Sequence, residues 1–226
     1  KKSNQSGGLM HFLHPSIVKF FSEVSVSDGE NVDCCPCVWK LLGLEQNLFE
    51  DIQKYAKICT DGMCFTKKYL GTNVKDIEKQ MTYYFKKRGY NLEDLMFNTT
   101  IVTSNQPEIT YELDDYNTPY ITNYDTLAYQ YTGEQIIQGL FENLKLYYST
   151  IPNNYGIFCG FKYANGDGHC VLFCKYQNQM AIIDPQNPEL SGIGEDFIID
   201  KLLREGILLF MFFEIKYTST NDFART

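Results

Sequence analysis

The chain predicts an α+β domain, and three observations carry that expectation. Helical spacing dominates its first two thirds. Short apolar runs of strand length dominate its last third. The two kinds of segment do not alternate as they would in a βαβ protein. With 226 residues and 44% hydrophobic content, the chain holds enough apolar material for one sizeable core. We expect an N-terminal arm over residues 1–30, marked by Gly7–Gly8, Pro15 and the Ser-rich "SEVSVSDGE", followed by one domain over 31–226.

The elements follow in order. "SIVKFFSEV" (16–24) fits a short helix, and "CVWKLLGL" (37–44) a helix ended by Gly43. "EQNLFEDIQKYAKIC" (45–59) spaces Leu48, Ile52, Tyr55 and Ile58 on one helical face. The segment 73–89 does the same with Val74, Ile77, Met81 and Phe85, between a capping Thr72 and a terminating Gly89. Residues 99–131 read as short strands and loops. Thr132 and Gln135 form a capping-box signal at the head of a helix reaching Tyr148. "YGIFCGFKY" (155–163), "HCVLFCKY" (169–176) and "QMAIID" (179–184) then read as consecutive strands. A helix over 195–206 and a strand over 207–217 complete the pattern.

Composition excludes some function classes. The formal charge is −8, from 20 basic and 28 acidic residues, and no long Lys/Arg run interrupts it, so no nucleic-acid partner is expected. No stretch approaches the ~18 apolar residues of a membrane span. No leader pattern of basic then apolar residues is visible at the start. Eight cysteines in a chain with a full apolar core read as free thiols in a reducing, intracellular setting. Cys170 and Cys174 read as buried small hydrophobes.

The segment "GHCVLFCKYQNQMAIIDPQ" carries the chemistry. His169 begins one strand and Asp184 ends the next, and a turn at Gln177–Asn178 folds the pair into a hairpin. Both side chains therefore lie at its open end. A carboxylate there fixes the imidazole tautomer and stabilises imidazolium. Pro185 holds Asp184 extended. Upstream, "ENVDCCPCVWKLLGL" places Pro36 in a first helical turn, so Cys35 or Cys37 lies at a helix N-terminus, where the macrodipole favours thiolate.

"CCPCVW" resembles the stretch around the nucleophile of papain-like cysteine proteases. "GHCVLF…IIDPQ" resembles the His strand and Asp-Pro-Gln strand end of papain-fold toxin and deamidase-type domains, and the order Cys, His, Asp is the papain-like order. The resemblance implies a papain-like fold, Cys37 as nucleophile, His169 as base, Asp184 as its orienter and Asn31 as oxyanion donor. It implies a thiol hydrolase acting on a protein or peptide, of peptidase, deubiquitinase-like or glutamine-deamidase type, without a cofactor or metal. Trp39 stands two residues after Cys37 where the family has one, which keeps Cys35 and Cys34 open as nucleophile.

Two other readings compete. Cys34, Cys37, Cys59 and Cys64 have spacings compatible with a four-thiolate zinc site, although the helical pattern around Cys59 needs no metal. A catalytically silent papain-fold virion or scaffold component, with the Tyr-rich middle of the chain facing an assembly partner, fits the AT-rich residue usage.

Overall fold

The computed structural model describes residues 10–12, 34–41, 73–87, 91, 93 and 95–217. Their architecture is α+β, and every recorded strand pairing is antiparallel. The strands are β1 (Met10–Phe12), β2 (Leu95–Thr103), β3 (Tyr111–Leu113), β4 (Pro119–Ile121), β5 (Tyr155–Tyr163), β6 (Gly168–Tyr176), β7 (Gln179–Ile183), β8 (Gly192–Ile193) and β9 (Ile207–Tyr217). The helices are α1 (Cys34–Leu41), α2 (Val74–Lys87), α3 (Tyr124–Gln130), α4 (Gly133–Ser149) and α5 (Glu195–Glu205). The main sheet runs β2-β9-β5-β6-β7-β8, with β1 paired to β5, and β3 and β4 form a separate ribbon.

Pleating divides the central strands between two cores. Phe158, Leu172, Cys174, Ala181, Ile183, Leu209 and Met211 face one side, under Cys35 and Val38 of α1 and Val74, Ile77 and Met81 of α2. Ile157, Cys159, Phe161, Val171, Phe173, Ile182, Phe210 and Phe212 face the other, under α4 and α5. Helices on both faces explain why "CVLF" and "ILLFMFF" are continuous apolar runs. A strand with one wet face alternates instead. Each buried Phe or Leu contributes about 1.5–3 kcal/mol of transfer free energy.

Local signals set most boundaries. Gln177 and Asn178 have φ of 50° and 59°, so the β6–β7 connection is a two-residue turn of the kind that matches strand twist. Thr132 caps α4, and its backbone N–H donates in return to Gln135 Oε1 at 2.9 Å. Gly206 ends α5 in the left-handed region at φ 63°, where other residues carry a steric penalty. Asn73 caps α2 through Oδ1, which accepts from the Asp76 N–H at 2.9 Å; the expected cap Thr72 lies outside the described residues.

Some elements differ from the sequence reading. Helix α3 lies where loops and strands were expected; it has only seven residues and no side-chain cap. The Asn123 amide before it instead accepts from Thr110 N–H and donates to Glu108 O. Strand β2 starts at Leu95, because its whole length pairs with β9 from Leu95↔Tyr217 to Thr103↔Leu209. Three residues of the expected arm, Met10–Phe12, pair with β5. The segments 16–24 and 45–59 lie outside the described residues. No helix among the described residues is long and apolar enough to cross a membrane.

Candidate active site

The site forms at the open end of the β6–β7 hairpin. Their register pairs Leu172 with Ile183, so one further step sets Asp184 opposite Val171. His169 lies two residues beyond Val171 on the same face, a diagonal neighbour of Asp184. His169 Nε2 is 2.6 Å from Asp184 Oδ2. The imidazole is mostly buried and meets the Phe161 ring edge to face, with centroids 5.5 Å apart.

Asp184 is fully buried and held on every side. Its Oδ1 accepts from Gln186 N–H at 3.1 Å and Asn187 N–H at 2.9 Å, the local turn that an Asp before Pro favours. Its backbone N–H donates to Ser191 Oγ at 2.8 Å. Behind that turn sits Lys201, also fully buried. Its Nζ donates to Leu190 O at 3.2 Å and to Glu205 Oε1 at 2.6 Å, and lies 5.9 Å from the Phe161 ring centroid. Lys201 thus braces both the turn that carries Asp184 and the ring that backs His169.

The thiol at the imidazole is Cys34. It is the first residue of α1, partly exposed, packed against the cluster that holds Cys170, and electrostatically coupled to both His169 and Cys170. Helix α1 begins three residues earlier than the pattern at 37–44 implies, because Pro36 is accommodated as the third residue of the first turn. Cys35 is therefore turned into the core, where it contacts Cys170, and Cys37 is buried one turn deeper. Among the sequence candidates, the structure brings His169 and Asp184 together. At that centre Cys34 occupies the place expected for Cys37 or Cys35. Asn31 lies outside the described residues.

Electrostatics follow from this packing. Burial works to lower the His169 pKa, but the Asp184 hydrogen bond and then Cys34 raise it from its ordinary value to about 10. Contact with Cys170 and burial outweigh the pull of His169, so the Cys34 thiol is held well above its ordinary range. We take imidazolium as the resting form of His169, because the Asp184 carboxylate 2.6 Å away is shielded from solvent. An imidazolium and a helix N-terminus both work against that upward shift at Cys34.

Cys59 and Cys64 of the candidate zinc set lie outside the described residues. Among the described residues, no three His, Cys, Asp or Glu side chains are grouped to hold a metal ion. Ser191 and Lys201 carried no sequence signal, since each acts through a tertiary contact. Cys34 had one, its place in the "CCPC" cluster. No family model, curated protein or solved structure matches the chain.

Proposed function

We propose that the chain is a papain-like thiol hydrolase working through Cys34, His169 and Asp184. One observation carries the reading: a buried carboxylate 2.6 Å from an imidazole, with a thiol at a helix start electrostatically coupled to that imidazole. That is the relation a nucleophile, its base and the orienter of the base require. The Cys, His, Asp order and the α+β architecture support the papain-like part.

In this reading the Cys34 sulfur attacks a carbonyl carbon. The nitrogen Nε2 is engaged by Asp184, so Nδ1 is the atom that exchanges the proton with Cys34 and the leaving group. Helix-initial N–H groups have no intrahelical acceptor, and the Cys34 N–H heads that set. It is the oxyanion donor nearest the attacking sulfur. Collapse of the tetrahedral adduct expels an amine or ammonia, protonated by His169, and leaves a thioester. Water, deprotonated by His169, then releases the acid and restores the thiol. Peptide, isopeptide and glutamine carboxamide substrates all follow this course. The free thiols of Cys34, Cys159, Cys170 and Cys174 fit a reducing, intracellular location.

Alkylation mapping tests the proposal. With iodoacetamide under mildly acidic conditions, Cys34 should label first, and His169→Ala should abolish that selectivity. Equal, slow labelling of all the thiols would sink it.

A second reading has its own observation. The β3–β4 ribbon and α3 expose Tyr111, Leu113, Tyr116, Tyr120 and Tyr129, the last at 92%. That surface supports a catalytically silent papain-fold component, such as a virion protein, with an assembly partner on this side. An unreactive Cys34 together with concentration-dependent self-association lost on Tyr120→Ser would favour it.

A further inference from the structure

Cys34 has a sulfur neighbour as well as an imidazole. Cys170 follows His169 on β6, so the pleat turns its side chain to the opposite face, the one that α1 covers. His169 and Cys170 sit at the start of β6, on the rim of the sheet, and Cys34, at the head of α1, packs against the buried cluster that holds Cys170. Cys34 and Cys170 are both free thiols. Their exposures differ: Cys34 is partly exposed, whereas Cys170 is 8% and Cys35 1% exposed. A dissolved oxidant therefore meets Cys34 first, with a sheltered thiol already beside it.

We propose that Cys34 and Cys170 form a peroxide-responsive pair, in which Cys34 is oxidised and Cys170 captures it as a reversible disulfide that closes the site. The proposal rests on the reading of Cys34 as the activated thiol of the proposed hydrolase. The Cys34 thiolate attacks one oxygen of hydrogen peroxide, the O–O bond breaks, and the departing hydroxide takes a proton from His169 to leave as water. Cys34 is now a sulfenic acid, oxidised by two electrons. The Cys170 sulfur attacks the Cys34 sulfur, the S–O bond breaks, and a second water leaves with the Cys170 proton. A dithiol reductant returns both thiols by exchange.

Cys35 is the weaker candidate for this role. Consecutive helical side chains diverge, so Cys34 and Cys35 do not face each other within α1. Cys170 approaches from another element, so the divergence of side chains along one helix does not hold it away from Cys34.

The test uses the full chain and no substrate, so it is independent of whether hydrolysis is ever observed. The protein is treated with a small excess of hydrogen peroxide, blocked with N-ethylmaleimide, digested without reduction and read by mass spectrometry. The expected product is a Cys34–Cys170 linked peptide. Cys34 labelling by iodoacetamide should vanish with its formation and return on dithiothreitol treatment. In Cys170→Ala, Cys34 should instead advance to sulfinic acid, and dithiothreitol should restore nothing. Sulfinic Cys34 in the wild type with Cys170 unlinked, or a Cys34–Cys35 product, overturns the proposal. Disulfide formation in a chain that hydrolyses no acyl substrate leaves the thiol pair standing and rejects the hydrolase.

Discussion

His169 Nε2 stands 2.6 Å from Asp184 Oδ2, although fifteen positions separate the two residues in the chain. Asp184 has no freedom to turn away: two backbone N–H groups hold its other oxygen and Ser191 holds its own N–H. The imidazole plane is thereby set before any substrate arrives, which is what a base and its orienter require.

Asp184→Asn keeps the size of the orienter and removes its charge. The His169 pKa should then fall from about 10 towards its ordinary value. The proposed acyl-transfer activity should drop by about 10²–10⁴-fold, the range for a positioned acid–base group. NMR titration of the His169 ring reads the first effect directly. An unchanged midpoint would show that Asp184 does not set the charge on the ring.

Stability should depend on pH through the same pair. The folded pKa of His169 is raised above its unfolded value of about 6.5. The stabilisation is therefore fully present below about pH 6.5 and is lost as pH rises through about 10. Its size is on the order of a few kcal/mol for a pair this buried. Urea unfolding of wild type and His169→Gln from about pH 6 to about pH 11 checks the sign. The gap between them should close as pH rises, and a gap that widens contradicts the assignment.

Lys201→Met should destabilise by about 1–3 kcal/mol, since it strands the Leu190 carbonyl and the Glu205 carboxylate. Lys201→Met/Glu205→Leu should recover part of that loss, because no lone charge remains. Chemical denaturation gives both numbers. The single variant should also broaden the His169 ring signal, as the turn behind Asp184 loosens.

Thr132→Ala removes the side-chain half of the α4 capping box and should cost about 1 kcal/mol. The capping box bonds Thr132 to Gln135 and not to the hairpin mouth, so Cys34 alkylation should keep its rate. A slowed rate would mean that α4 and the site are coupled.

How far the sequence could be read depended on the range of each signal. The hairpin was legible because its turn and both its ends lie within one short stretch, from His169 to Asp184. The capping box at Thr132 and the αL glycine at Gly206 were equally local. Helix α3 was missed because seven residues rich in Tyr and Asp carry little periodicity. Strand β2 was drawn too short, because "LMFN" becomes strand only by pairing with β9.

The sequence by itself determined the α+β class, the hairpin, and the meeting of His169 with Asp184. Strand period and turn chemistry act between near neighbours and leave their mark in residue order. Only the tertiary structure decided which of the clustered cysteines stays partly exposed and which are buried. Pro36 is compatible with several helix starts, and each start rotates a different thiol outward. Packing of Cys35 and Val38 against β6 selects one start, and that choice leaves Cys34 at the rim beside His169 and Cys170.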